Sequence, residues 1–181
     1  MTPERRRHFE RLLSPRHIAF IGGTDAIIAI GEARRRGFKG SYWPVNPKRD
    51  QMGDLPCFAT VDDLPEAPDA VFLAIPAVAA VETLGRLAKM GAGGVVCYTA
   101  GFKESGPDGS VLEQRLRDVV GNMALIGPNC YGVINYLDNV ALWPFAHGGS
   151  SPGYGAAIIT QSGMFSSDIT MSQRSLPLTH L

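Results

Sequence analysis

Several features that would indicate a particular class of protein are missing from this sequence. Cysteine is scarce: Cys57, Cys97 and Cys130 are the only three in 181 residues, and their spacing fits neither a zinc site nor a disulfide framework. Basic and acidic side chains balance at 17 each, so no overall charge favours nucleic acid. No apolar run is long enough to cross a bilayer, and the amino terminus has no secretion-signal pattern. These absences predict a cytoplasmic globular protein without a metal site and without nucleic-acid or membrane partners.

What the sequence does contain is an alternation of short apolar strands and longer amphipathic helices. The predicted strands cover residues 17–21, 41–45, 70–75, 94–98 and 123–126. Helices are predicted near the amino terminus and over residues 25–36, 78–90 and 110–120, with a helical turn at 61–64. Nearly continuous apolar strands between helices indicate a parallel sheet that is covered on both faces. The predicted fold class is therefore α/β, a doubly wound, Rossmann-like domain.

Two turns near the carboxyl end predict a second unit. Residues 126–133 close the fifth strand, and residues 157–163 close another strand that leads directly into a helical pattern. We expect one domain over residues 1–134, a connection over 135–155 that is rich in Gly, Pro and Asn, and the start of a second α/β domain over 156–181. The chain is therefore expected to be a piece of a larger enzyme. A strand over 156–160 with an unpaired edge would promote contact with a partner or self-association into a homo-oligomer.

The carboxyl ends of the parallel strands are where a ligand is expected. Small polar residues follow several strands there, at turns where backbone N–H groups point at anions. A dinucleotide site would show G-x-G-x-x-G after the first strand and an acid after the second, and neither is present. Lys48 stands where the acid would be. A lysine there suits a phosphate group, although a solvated loop lysine fits the pattern equally well.

Six short blocks, taken in order over residues 12 to about 181, resemble the amino-terminal part of the NDP-forming acyl-CoA synthetases, relatives of the succinyl-CoA ligase α subunit. The blocks are LLSPR at residues 12–16, YWPVNPK at 42–48, AIPA at 74–77, TAGF at 99–102, GPNCYGV at 127–133 and TQSG at 160–163. The resemblance implies a CoA-binding domain followed, from residue 156, by the start of a flavodoxin-type domain. The implied CoA-binding residues are Gly22, Gly23, Thr24, Lys48, Ile75, Pro76, Thr99 and Ala100.

Each of these positions has an implied role toward CoA or acyl-CoA. The turn at residues 22–24 would meet the phosphates, Lys48 would pair with a phosphate of the ADP moiety, and the remaining residues would line the adenosine or pantetheine path. Pro76 would also end its strand without any ligand. One departure from the family is a shortened first turn, in which Asp25 leads straight into an apolar run. This turn offers the pyrophosphate fewer amides and adds a negative charge.

The resemblance also implies phosphoryl transfer through a phosphohistidine. Asn129, Ser162 and Gly163 match elements that support that group, while the histidine itself would lie outside this chain. No catalytic residue is therefore expected here, and His147 is not expected to replace the missing histidine. ATP/ADP or GTP/GDP and Mg²⁺ would act only through an ATP-grasp domain or subunit.

Two other functions remain open from the sequence. A stand-alone CoA-binding module with a regulatory or scaffold role would share the same site, although such modules normally stop near the fifth strand. An NAD(P)-dependent oxidoreductase domain would share the fold, and Lys48 would suit the 2′-phosphate of NADP. A comparison of CoA and NADP binding separates the oxidoreductase domain from the two CoA-binding functions, the ligase part and the stand-alone module.

Overall fold

The computed structural model describes residues 1–172 and 177–181. The helices, in chain order, are α1 (Pro3–Leu13), α2 (Thr24–Arg36), α3 (Ala77–Met90), α4 (Pro107–Val120) and α5 (Gly163–Met171), with 3₁₀ turns at Val61–Asp63 and Lys103–Ser105. The strands are β1 (His17–Gly22), β2 (Ser41–Val45), β3 (Gln51–Met52), β4 (Leu55–Pro56), β5 (Ala70–Ala74), β6 (Gly94–Cys97), β7 (Ala124–Ile126), β8 (Val133–Asn135), β9 (Val140–Leu142), β10 (Ala156–Ala157) and β11 (Leu178–His180).

The main sheet has five parallel strands in the order β2-β1-β5-β6-β7. The chain moves outward from β1 in one direction to β2 and then in the other direction through β5, β6 and β7. The strand order therefore reverses between β1 and β5, which is the switch point where doubly wound sheets bind ligands. The predicted doubly wound α/β fold is confirmed by this topology.

Local sequence explains why these elements form and which faces they bury. All six residues of β1 are buried, as expected for a strand with helices on both sides. In α2 the buried residues Ala26, Ala29, Ile30 and Ala33 recur at helical spacing and pack on one face of the sheet with α1. Helices α3 and α4 pack together over the other face. Gly37 ends α2 in the left-handed conformation that a glycine adopts at low cost.

A second sheet was not predicted in this form. Its order is β10-β11-β8-β9, with β8 and β9 forming an antiparallel hairpin that places Val140–Leu142 within the segment assigned from sequence to a connection. Strand β11 runs antiparallel to β8, and Ile134 and Leu181 exchange two backbone hydrogen bonds of 2.7 and 2.9 Å. Strand β10 is shorter than the predicted strand over 156–160 and pairs in parallel with β11. Together with α5, these two strands form a β-α-β unit.

The second sheet is packed against the first through its hairpin. Val140 and Leu142 belong to the same buried cluster as the inner face of α2. The Asn135 side-chain amide donates to the backbone carbonyl of Leu13 at the end of α1, at 2.9 Å. Among the residues that the structure describes, no helix is long and apolar enough to span a membrane.

Candidate functional site

A cavity of about 400 Å³ opens at the carboxyl ends of β5 and β6, beside the turn that follows β7. It is lined by Asp25, Ala74, Ile75, Pro76, Tyr98, Thr99, Ala100, Asn129, Cys130 and Tyr131. Four of the eight residues implied as CoA-binding therefore share one wall, together with Asn129. The cavity lies at the predicted rim because every strand of a parallel sheet ends on the same side.

The turn after β1 holds the first strand close to β5 and leaves the start of α2 open. A Cβ atom on Gly22, which has a φ of 152°, would lie 2.5 Å from the carbonyl oxygen of Ala74, so only glycine fits there. No side chain caps α2 at Gly23, and nothing lies within 4 Å of the position that a Cβ on Gly23 would occupy. The unpaired N–H groups in the first turn of a helix attract anions. This turn is therefore suited to a phosphate group.

Lys48 lies beside that turn because Asn46 ties the end of β2 to it. The Asn46 side-chain amide donates to the carbonyl of Gly22 at 2.7 Å, and its oxygen accepts the backbone N–H of Lys48 at 2.8 Å. The Lys48 side chain is exposed and is not among the residues that line the cavity. Gly22, Gly23, Thr24 and Lys48 thus form a second group on the rim, next to the cavity rather than in its wall.

Thr99 holds three parts of the cavity wall together. Its hydroxyl donates to the carbonyl of Ile75 at 2.9 Å and accepts the Ile75 backbone N–H at 3.3 Å. The carbonyl of Thr99 accepts the backbone N–H of Asn129 at 2.9 Å. Since the hydroxyl is buried and already paired, Thr99 positions the strand ends rather than presenting its hydroxyl to a ligand.

The turn after β7 is packed tightly under the cavity. A Cβ on Gly127 would lie 2.5 Å from the carbonyl oxygen of Cys97, and Asn129 has a φ of 52°. The Cys130 thiol lies 3.3 Å from the carbonyl oxygen of Ile126, to which it donates. Burial raises the pKa of Cys130 to about 12, so this thiol stays protonated and is not a nucleophile.

Tyr131 connects the cavity to the start of α5. Ser162 caps that helix, with its hydroxyl oxygen accepting the backbone N–H of Phe165 at 3.3 Å. A Cβ on Gly163 would lie 2.5 Å from the Tyr131 ring, so the glycine lets the ring pack against the helix start. The fold thereby brings Asn129 and the Ser162–Gly163 turn to the same end of the cavity.

The aromatic part of the cavity was missed by sequence reasoning. Tyr98 and Tyr131 both line the cavity, and Phe145 contacts both rings, with centroid distances of 6.2 and 4.5 Å. Burial raises the pKa of Tyr98, and the charges of Asp25 and Tyr131 add to that effect. Tyr98 follows an apolar strand and Tyr131 follows a turn, so both look like ordinary core residues in the sequence. The one available signal was that Tyr98 stands directly at the carboxyl end of a strand and that Tyr131 belongs to the turn that follows another.

His147 is a packing residue, as its neighbours show. It is buried against α2, where its Nδ1 atom lies 3.0 Å from a carboxylate oxygen of Glu32. It is not among the residues that line the cavity. His17, the other buried histidine among the described residues, stacks on Trp43 and lies at the amino end of β1, away from the rim.

The fold and this rim define a doubly wound α/β domain with an uncapped helix start beside a cavity at the carboxyl ends of the strands. Comparison with known proteins identifies the family: residues 23–136 match the model described as CoA binding domain. The chain belongs to this family. It corresponds to the CoA-binding part of the NDP-forming acid–CoA ligases, as the following relatives indicate.

Three similar proteins illustrate the relationship. A trans-feruloyl-CoA synthase of an unknown prokaryotic organism is 37% identical over 75% of this chain, and an ADP-forming 4-hydroxybutyrate–CoA ligase of Nitrosopumilus maritimus is 33% identical over 84%. The apo form of dinucleotide-forming acetyl-coenzyme A synthetase 1 from Ca. Korarchaeum cryptofilum superposes on 95% of this chain, with a TM-score of 0.81 and 25% identity. The chain spans 20% and 23% of the two curated relatives and 39% of the solved structure.

Proposed function

We propose that this chain binds CoA and its acyl thioesters along the rim and serves as the CoA-binding part of an acid–CoA ligase. The observation that carries the proposal is the uncapped start of α2 lying beside a cavity at the ends of β5 and β6. CoA suits this pair of features, since it joins a phosphate-rich nucleotide to a long, uncharged arm. A reading as an NAD(P) domain has less support, because the family match is to CoA binding and the dinucleotide glycine pattern is absent.

The two groups of rim residues fit the two halves of CoA. We place the phosphates at the amides of residues 22–24, with Lys48 supplying a nearby positive charge. The pantetheine arm then runs past Ile75 and Pro76 and past Ala100. Its thiol end reaches Asn129 and Tyr131, next to the start of α5.

The chemistry we propose for the larger enzyme uses this geometry at the thiol end. The thiolate of CoA attacks the carbonyl carbon of an acyl phosphate, so that a carbon–sulfur bond forms, the carbon–oxygen bond to phosphate breaks and inorganic phosphate leaves. The acyl phosphate forms in the preceding step, in which a carboxylate oxygen of the acid attacks the phosphorus of a phosphohistidine outside this chain, so that an oxygen–phosphorus bond forms and the nitrogen–phosphorus bond breaks. Asn129, Ser162 and Gly163 would support the phosphoryl group during this transfer. The amino end of α5 carries about half a positive charge, which suits a dianionic phosphoryl group.

The partners we propose follow from that chemistry. ATP/ADP or GTP/GDP with Mg²⁺ would be bound by an ATP-grasp domain or subunit, in the cytoplasm. The curated relatives named above act on a feruloyl group and on 4-hydroxybutyrate according to their names, so membership of the family does not by itself select the acid.

A calorimetric titration with CoA, dephospho-CoA and NADP tests the proposal. We expect saturable CoA binding and no response to NADP. Lys48→Ala should weaken CoA binding about fivefold, and the difference should shrink at high salt, because an exposed charge contributes about 1 kcal/mol and is screened. Lys39→Ala is the matched control. Lys39 is also exposed, but it precedes the amino end of β2, whereas the rim lies at the carboxyl ends of the strands. NADP binding without CoA binding would contradict the proposal.

A further inference from the structure

Asp25 lies where the two groups of rim residues meet. It is the second residue of α2, directly after the turn at residues 22–24, and it is exposed. It also lines the cavity, together with Ile75, Pro76 and Tyr98. Burial raises the pKa of Tyr98, and the charge of Asp25 raises it further. The carboxylate of Asp25 is therefore close both to the turn that suits a phosphate and to the cavity wall.

This carboxylate has no partner within residues 1–172 and 177–181. It makes neither an ion pair nor a side-chain hydrogen bond there, and it does not cap α2. A negative charge in the first turn of a helix stabilises that helix, but the same charge repels phosphates that bind at the turn. Asp25 therefore weakens the binding of any ligand that offers this turn phosphates alone.

CoA carries a hydrogen-bond donor directly beyond its phosphates. This step rests on the proposed function, in which the phosphates lie at the amides of residues 22–24. The pantoyl group follows the pyrophosphate in CoA, and it consists of a dimethyl carbon, a carbon with a hydroxyl group and an amide. A carboxylate only accepts hydrogen bonds, and it accepts them strongly from a hydroxyl group. The pantoyl hydroxyl is thus a suitable partner for Asp25.

The register of the main sheet brings apolar residues to the same place. Gly22 at the end of β1 pairs with Ala74 at the end of β5, so the turn at residues 22–24 and the segment Ile75–Pro76 leave the sheet side by side. Both Ile75 and Pro76 line the cavity. They provide apolar surface for the dimethyl carbon, which lies between the phosphates and the hydroxyl group in CoA.

We propose that Asp25 is a specificity-determining residue whose carboxylate accepts a hydrogen bond from the pantoyl hydroxyl of CoA, while Ile75 and Pro76 pack against the dimethyl carbon beside it. The rim then selects ligands that carry pantetheine over nucleotides that carry only phosphates, because the same carboxylate binds the first and repels the second. The negative charge in the shortened turn thus takes part in recognising CoA.

Calorimetric titration of the chain with CoA, ADP and a CoA analogue in which hydrogen replaces the pantoyl hydroxyl tests this inference. We expect the wild type to bind CoA about tenfold more tightly than the analogue, as for one hydrogen bond to a charged group. In Asp25→Ala the two ligands should bind equally tightly. The same variant should bind ADP about threefold more tightly than the wild type does, because a repelling charge has been removed.

Two further variants separate the hydrogen bond from the charge and from the helix. Asp25→Asn keeps an accepting oxygen without the charge, and it should retain about a threefold preference for CoA over the analogue. Asp108→Ala is the matched control. Asp108 is also exposed and is also the second residue of a helix, α4, but it does not line the cavity. This variant should keep the tenfold preference and the wild-type affinity for ADP.

The possible results distinguish this inference from the function on which it rests. If the wild type binds CoA and the analogue equally tightly, or if the preference persists in Asp25→Ala, the inference is overturned and the proposed function stands. ADP binding that is no tighter in Asp25→Ala than in the wild type would overturn the selection against plain nucleotides. Absence of wild-type binding to both CoA and the analogue would overturn the proposed function and the inference together.

Discussion

Asp69 illustrates how much one buried side chain contributes to holding this fold. Its carboxylate accepts hydrogen bonds from the side chain of Arg11 at 2.7 Å and from that of Arg16 at 2.8 Å. Burial alone would raise the pKa of Asp69, but the hydrogen bonds from the two arginines outweigh it and lower that pKa to about 2. The residue stands just before β5, so these contacts fix the end of α1 to the amino edge of the main sheet.

Replacing Asp69 should therefore weaken the fold in a pH-dependent way. Asp69→Asn is expected to lower the free energy of unfolding at pH 7 by about 2 kcal/mol, since it removes the negative charge and replaces one of the two accepting oxygens by an NH₂ group that faces an arginine. The pKa of Asp69 is lower in the folded than in the unfolded protein. The contribution of Asp69 to the free energy of unfolding of the wild type is therefore complete above pH 5 and disappears as the pH falls toward about 2. Urea unfolding between pH 7 and pH 3 measures this. Asp62→Asn, which breaks an exposed ion pair with Arg86, is the control and should have a much smaller effect. The prediction would be contradicted if the free energy of unfolding fell equally steeply with pH in Asp69→Asn and in the wild type.

At the scale of elements, α2 serves the site at one end and the junction between sheets at the other. Its first turn is open to an anion, whereas its interior contains Gly31, which is exposed and has nothing within 4 Å of the position that a Cβ would occupy. A glycine inside a helix costs stability because it loses more backbone freedom on folding. Gly31, inside α2, and Gly22, in the turn before it, are therefore expected to change the free energy of unfolding in opposite directions when each is replaced by alanine.

Gly31→Ala should raise the free energy of unfolding by about 0.5 to 1 kcal/mol. Gly22→Ala should lower it, since the added Cβ would lie 2.5 Å from the carbonyl oxygen of Ala74 and the backbone has a φ of 152°. Thermal melts of the two variants beside the wild type measure both effects. Destabilisation by Gly31→Ala would show that α2 is packed against something on its outer face.

At the scale of the whole molecule, the last turn of α2 makes hydrogen bonds to residues 147–149, in the segment that leads into the β-α-β unit. The Arg35 side chain donates to the carbonyl of His147, and that of Arg36 donates to the carbonyl of Gly149 at 2.9 Å. His147 itself is buried with its Nδ1 atom 3.0 Å from Glu32. Burial and the charge of Arg35 lower the pKa of His147, against the opposing effect of Glu32.

Mild acid should therefore loosen this junction. Since His147 takes up a proton more readily in the unfolded chain than in the folded one, its contribution to stability is present above a pH of about 6.5 and is lost as the pH falls. We expect limited proteolysis within residues 148–155 to be faster at pH 5.5 than at pH 7.5, after correction for the pH dependence of the protease on an unfolded substrate. His147→Gln should be cleaved equally at both pH values. A difference that persists in this variant would assign the effect to another group.

Most of the main sheet could be predicted from the sequence, but little of the second sheet could. The five parallel strands agree with their predicted positions to within a residue or two, because each is a continuous apolar run between helices with clear stops such as Gly37 and Gly91. The strands of the β8–β9 hairpin have three residues each, which is too short to show a period. In the cavity, Ile75 and Thr99 could be placed because parallel strands end on one side, whereas the part played by Phe145 had no local signal.

The sequence by itself determined the doubly wound sheet, the rim on which a ligand would bind and the resemblance to a family of CoA-binding domains, because apolar periods, helix stops and short motifs are all local patterns. Only the tertiary structure decided that Phe145 contacts both Tyr98 and Tyr131, and that Gly163 packs against the Tyr131 ring. These contacts join residues that are far apart in the chain. They arise from the packing of one sheet on the other, which depends on the whole core and not on any single segment.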